Sequence, residues 1–513
     1  MADRPFPLGA TAVAAALGAL TLGTLGAVLA QAGGAAPGPA DWAAVRFTLV
    51  QAALSAVVSV ALAVPVARAL ARRRFAGRGA VVALLGAPFL LPVIVAVLGV
   101  LAIFGRAGWL SQGLMAVGLP PLSIYGLHGV VLAHVFFNMP LAVRMILQGW
   151  QAIPAERLRL AASLGFGPGA IWRHLEAPML RAVLPGVAAM IFAICLTSFA
   201  VALTLGGGPA ATTVELAIYQ ALRFEFDLPR AAALSAVQVG LCAVAVALAA
   251  RLALPAGFGA GLDRVADWPA RAGGWRWVMD GLVIGAAVVF VALPLVAVAR
   301  QGVPGLAGLP PQVWAAAGRS LAVALASGAL AVGGALVLAL AVAQGRRGYE
   351  LAAMLPLAAS ALVLGTGLFV IVQPFVSPAR VALPVTVAVN AALFLPFAFR
   401  ILLPEARSLQ ADHGRLAQAL GLGVLARLRW VTLPRLRRPL GFAAGVAAAL
   451  SMGDLGVIVL FAGEQGATLP LLVQRLMGAY RMESAAAAAL LLVVLSFVLF
   501  WGLDRWGRGN AAA

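Results

Sequence analysis

Few side chains in this 513-residue sequence are equipped for chemistry, and most of those that are lie within or beside long apolar stretches. Asp454 is the clearest case, because a carboxylate among apolar residues is costly unless it is paired, solvated or used. It offers a counter-charge for a cation or, with Gly453 and Gly456 beside it, a cap for backbone amides where a helix breaks. Asn138 and Asn390 occupy two other apolar stretches, where an amide either lines a polar path or bonds across to a neighbouring helix. Glu215 and Tyr219 follow a run of three glycines, Gly206 to Gly208, together with Thr212, Thr213 and Gln220. The region from Glu464 to Tyr480, with Thr468, Gln474 and Arg475, has the same character. Both suit a gating or docking surface, or a short re-entrant helix that shapes a vestibule. The four histidines, His128, His134, His174 and His413, are far apart, and Cys195 and Cys242 fall in separate apolar stretches, so neither a metal site nor a disulfide framework is expected. The sequence holds no GxxxxGK[ST], HExxH, CxxC or GxSxG motif. Binding and passage, rather than catalysis, are the chemistry on offer.

The elements that must position these groups are membrane helices. A chain that is 63% hydrophobic and 10% charged, with mean hydropathy +1.02, has too little polar material to cover a water-soluble body of this length. A hydrocarbon core needs about 20 apolar residues per helix. Such windows lie near 10–31, 48–70, 79–104, 124–148, 183–205 and 230–252, and again near 278–299, 318–344, 350–374, 381–403, 440–462 and 485–504. The expected fold is therefore all-α and polytopic, with about 12 transmembrane helices in two parallel six-helix repeats. The first repeat covers 1–254, a cytoplasmic linker 255–276 and the second repeat 277–513. An even number of spans per repeat gives both the same orientation, so a pathway is expected between them. The first window has the length of a spanning helix and only Arg4 before it, so it reads as a retained helix rather than a cleaved signal.

Direct evidence of duplication comes from two basic loops. Residues 160–180 read LAASLGFGPGAIWRHLEAPML and residues 416–436 read LAQALGLGVLARLRWVTLPRL, an offset of 256 that also relates Pro140 to Pro396 and Arg144 to Arg400. Shared positions are those that shape a backbone: an Ala/Leu turn, a Gly-x-Gly break and a second amphipathic segment closed by Pro178 or Pro434. Each loop, near 156–182 and 412–438, should form a helix-turn-helix able to lie flat on lipid headgroups or to dock in a groove of a soluble partner. The net charge of +19 comes entirely from arginine on the basic side, and most arginines fall on one set of alternate loops. That is the positive-inside pattern of a multi-pass membrane protein with both termini cytoplasmic. Trp109, Tyr219 and Trp314 read as interfacial aromatics. Nucleic acid binding needs a continuous basic face with aromatic platforms, which the sequence lacks.

These loops resemble those of the integral membrane permeases of bacterial ATP-binding-cassette importers, the type I permease fold. The resemblance implies that Ala161, Gly165, Leu175 and Pro178 in the first copy, and Ala417, Gly421, Val431, Leu433 and Pro434 in the second, form coupling helices. Two copies of a cytoplasmic ATPase subunit would dock there, holding the ATP and Mg that this chain does not. The family's leading Glu is replaced by Arg159 and Arg415, and its Leu before Pro by Ala177 in the first copy. Segments 125–148, 203–222 and 453–492 are similar to permeases for thiamine and thiamine pyrophosphate, with ferric iron the alternative substrate for fused permeases of this kind. A periplasmic thiamine-binding protein would then deliver the substrate, and Asn138, Asn390, Asp454, Glu215 and Tyr219 would line its pathway.

Overall fold

The computed structural model describes residues 7–34, 36–252, 274–463 and 466–509. Most of the expected linker and Glu464 lie outside the described residues. Among them, all regular structure is helical. The principal helices are α1 (Pro7–Ala32), α2 (Pro39–Arg72), α3 (Val93–Phe104), α4 (Leu127–Gln151), α5 (Ala177–Leu196) and α6 (Leu228–Leu252). They continue as α7 (Trp275–Gly302), α8 (Pro311–Ala343), α9 (Ala361–Val372), α10 (Ala382–Ala419), α11 (Leu433–Met452) and α12 (Met482–Arg508).

Among the described residues, the twelve apolar windows yield ten helices long and apolar enough to cross a membrane, or eleven if a pair bent by 89° is one span. The shortfall has two causes. In α11, Arg435, Arg437 and Arg438 crowd the first two turns and leave too short an apolar run. In the third window of the second half the chain breaks where Ser360, accepting Val363 N at 3.2 Å, caps α9; Pro92 precedes α3 at the matching place in the first half, but that stretch still counts as a span. The fifth windows are broken as well, α5 ending before Thr197 and α11 before Gly453.

The halves clasp each other through their first helices: α1 packs on α9, and α7 packs on α3. Both crossings pass over a glycine. A Cβ on Gly99 would lie 2.7 Å from Pro294 O, and one on Gly367 would lie 2.6 Å from Thr24 O. Backbone cannot yield there as a side chain tip would. Gly99→Leu is expected to destabilise the fold by about 1–3 kcal/mol through overpacking, measured as a lower melting midpoint of the purified protein, whereas the same change at Gly113, whose Cβ meets open space, should not.

Corresponding hydrogen bonds repeat the pattern. Thr48 Oγ1 in α2 accepts Val214 N at 2.9 Å, and Ser320 Oγ in α8 accepts Leu469 N at 2.8 Å. Each one seats a loop following a broken fifth helix against the second helix of the same half.

Candidate functional site

A cavity of about 1000 Å³ lies between the two sets of helices, lined from both. Its wall holds Asn138, Glu215 and Asp454. His134, Ser198, Ser360 and Arg400 add polar groups, and Phe89, Phe137, Phe199, Phe394 and Phe397 add rings. Four of its boundaries are the helix breaks, at Leu91–Val93, Thr197–Phe199, Ser360–Leu362 and Gly453–Gly456. Broken helices carry polar backbone to mid-membrane depth, tolerated only where protein or a wet cavity receives it.

Two polar nodes face this space, related by the offset of 256. In the first, His134 Nε2 lies 2.7 Å from Ser198 Oγ and Nδ1 lies 3.1 Å from Ser55 Oγ. In the second, Asn390 stands where His134 stands and Asp454 where Ser198 stands. Asn390 Nδ2 donates to Ser451 Oγ at 3.0 Å, and Ser327 donates to the same hydroxyl at 2.7 Å. Asn138 Nδ2 donates to Cys195 Sγ at 3.3 Å, the position equivalent to Ser451. Each node thus ties the second, fourth and fifth helices of its half together. Asn138 both lines the cavity and makes an interhelical bond, whereas Asn390 is fully buried behind it.

Asp454 Oδ1 accepts Gly456 N at 3.3 Å, so this carboxylate does cap the break, while Oδ2 has no donor among the described groups. Glu215 is fully buried, and Oε1 accepts Gln238 Nε2 at 2.9 Å. Tyr219 stands off the cavity, its ring edge-on to Phe199 and Phe224 at 5.4 and 5.5 Å.

At the basic end, the two loops have one architecture. Residues 155–163 form a helix that ends in a left-handed residue, Gly165 at φ +63°, with Phe166 N bonded to Ala161 O at 2.9 Å. The second copy ends at Gly421, φ +62°, with Leu422 N bonded to Ala417 O at 3.1 Å. These are Schellman closures, which favour glycine. A short turn follows, Pro168–Ile171 or Val424–Arg427, and then a single π-helical turn, Trp172–Glu176 or Leu428–Thr432, leading into α5 and α11. Ala161 and Ala417 pack inward, whereas Pro178, Leu433 and Pro434 are exposed and Leu175 and Val431 half-buried. Leu160 and Leu164 are 58% and 60% exposed, and their counterparts Leu416 and Leu420 are 57% and 64% exposed. Apolar ridges this exposed, rimmed by arginine, are contact surfaces for a protein or a lipid face.

The copies differ in how they are anchored. Glu176, fully buried, accepts Arg68 Nε at 3.0 Å and Arg72 Nη2 at 2.5 Å, joining the first loop to the end of α2. Arg68 also lies over the Trp172 ring at 4.9 Å. Thr432 takes the place of Glu176 in the second copy. There Arg427 bonds Gln410 instead, and burial pulls its pKa below the ordinary arginine value.

No family model matches the chain. Over 486 residues it is 41% identical to the thiamine transport system permease protein ThiP of Salmonella typhimurium, covering 90% of this chain and 89% of that protein. The chain belongs to the thiamine transport system permease family. The protein of the same name from Brucella abortus is 40% identical over 477 residues, 90% of this chain and 87% of that one. The molybdenum transport system permease protein ModB of Mycobacterium bovis matches less, at 32% identity over 211 residues, which is 40% of this chain but 78% of that protein.

In this thiamine permease family member, the residue that sequence reasoning passed over is His134. Weighed only as a metal ligand, it was visible by another route. The offset that pairs Pro140 with Pro396 places His134 on Asn390 and Ser198 on Asp454, so the two asparagines are not each other's counterparts.

Proposed function

We propose that this chain is the membrane subunit of an ATP-driven importer that takes up thiamine, thiamine pyrophosphate or both from a periplasmic thiamine-binding protein. Near full-length likeness to thiamine permeases is the observation that carries this reading. Two copies of a cytoplasmic ATPase, which supply the ATP and Mg chemistry, dock on the loops at 156–182 and 412–438. The matched exposure of Leu160, Leu164, Leu416 and Leu420 supports two equivalent grooves on two equivalent subunits. The loops then lie on the cytoplasmic side of a bacterial inner membrane, as do both termini. Two six-helix repeats, 1–254 and 277–513, rock about the cavity, and the match of a shorter permease to 40% of the chain supports repeat-sized units. Coupling of this kind requires ATP and substrate each to favour one conformation.

In the cavity, Asp454 faces the thiazolium cation, Asn138 offers an amide, and the phenylalanines receive the pyrimidine ring. Asp454→Asn keeps the cap, since Asn and Asp cap equally well, but removes the charge. Half-maximal uptake of thiamine by reconstituted vesicles should then require about tenfold more substrate, the equivalent of about 1.4 kcal/mol, with a neutral-ring analogue unaffected. Equal loss for both compounds would reduce Asp454 to its structural bond. The reading as a whole is tested in vesicles containing the permease, its ATPase and its delivery protein: ATP hydrolysis and uptake should respond to thiamine compounds and not to ferric iron.

A further inference from the structure

Where α5 ends, the Leu196 carbonyl loses its intrahelical donor and the Cys195 carbonyl keeps only turn contacts, from Thr197 N and, at 3.4 Å, Ser198 N. Two glutamines supply the missing donors. Gln51 Nε2, from α2, donates to Cys195 O at 3.0 Å, and Gln238 Nε2, from α6, donates to Leu196 O at 2.9 Å and to Glu215 Oε1 at 2.9 Å. These bonds fix which way each amide points. Gln51 Oε1, Gln238 Oε1 and Glu215 Oε2 are left buried without a donor among the described groups, and all three residues are 0% exposed. Val214 N, bonded to Thr48 one turn from Gln51, holds the segment bearing Glu215 in place.

This grouping is rich in oxygen acceptors and includes one ionisable carboxyl group. No ion pair to Glu215 is formed among the described residues. A buried carboxylate without compensation is strongly unfavourable, so Glu215 holds either a proton or a cation, and three buried oxygens without donors favour the cation. Oxygen-only ligands select a hard cation, one carboxylate among neutral amides selects a single charge, and carbonyls at the broken end of a membrane helix are the usual setting for sodium. The feature is not a requirement of the duplicated fold. Thr48 and Ser320 correspond, as do Val214 and Leu469, which puts Val323 and Pro470 where Gln51 and Glu215 stand.

We propose that Glu215, Gln51 and Gln238 bind a sodium ion at the end of α5, bracing the broken fifth helix beside the cavity wall. The site is independent of thiamine, so its test needs neither substrate nor ATPase. Purified permease in lipid nanodiscs is titrated with sodium chloride against choline chloride at constant ionic strength, following the melting midpoint and the binding of radioactive sodium. Saturable sodium binding with a rising midpoint is expected in the unaltered protein, about tenfold weaker in Gln51→Leu and absent in Glu215→Gln. Absence of saturable binding in the unaltered protein overturns the proposal, and needs no variant to fold. So does a Glu215→Gln protein as stable as the parent with no sodium response in either, which would mean a protonated, neutral acid. An identical sodium response in parent and Glu215→Gln would overturn it too, as a salt effect located elsewhere.

Discussion

Valine at both Gly165 and Gly421 is expected to reduce thiamine uptake at least about 100-fold while leaving the amount of permease in the membrane unchanged. The two glycines sit at φ +63° and +62°, and a Cβ at either would meet nothing within 4 Å. Space is therefore not the constraint; backbone conformation is. A left-handed residue with a side chain costs about 1–2 kcal/mol, and a β-branched one more. The strain is relieved by opening the Schellman closure, which would swing Leu160, Leu164 and their counterparts out of register with the grooves of the ATPase proposed to hold them. Asparagine tolerates this conformation, so the Gly165→Asn, Gly421→Asn protein should retain most transport. Uptake and ATP hydrolysis are measured together: the valine variant should hydrolyse ATP without the response to delivered substrate. Normal uptake by the valine variant would remove the loops from the coupling role.

Glu176→Ala should be the most damaging single change at the basic end. It strips the shared acceptor from Arg68 and Arg72, whose side chains are 34% and 19% exposed, around a carboxylate that is wholly buried. Removing one partner of a buried ion pair costs about 3–5 kcal/mol. Partial exposure of both arginines places the expected loss near the lower end. The equivalent change in the other copy, Thr432→Ala, removes a hydroxyl that has no partner among the described groups and should be nearly silent. Melting midpoints of the two variants, side by side, test whether the loops are anchored as unequally as the ion pairs imply. Equal sensitivity at both positions would contradict that reading.

Composition made the membrane fold legible, because no arrangement of so apolar a chain could do without lipid. The repeated Gly-x-Gly segments made the loops legible to the residue, since a left-handed glycine closing a helix leaves a direct mark in sequence. Breaks in the third helix of each half left a fainter mark. Around Leu90–Val93, and from Ala359 to Leu362, a lone Pro92 or Ser360 stands among apolar residues, and a hydropathy window averages across it. Asp454 was readable as a cap because glycines flank it. Glu215 was not readable as a sealed carboxylate, since its partner Gln238 arrives from a different helix. The 256-residue offset places His134, not Asn138, opposite Asn390.

The π-helical turns at Trp172–Glu176 and Leu428–Thr432 bear on history. A π turn is the local record of one residue inserted into an α-helix. Here two such insertions sit 256 positions apart, in the register that aligns the Schellman closures before them and the helices after them. Two separate insertions would not be expected to land on the same phase of the same helix. A shared irregularity in the same register is the pattern expected if the extra residue predates the duplication of the chain. The two halves share this irregularity although one carries Glu176 and the other Thr432 within it, so the shape of the turn does not depend on its charge.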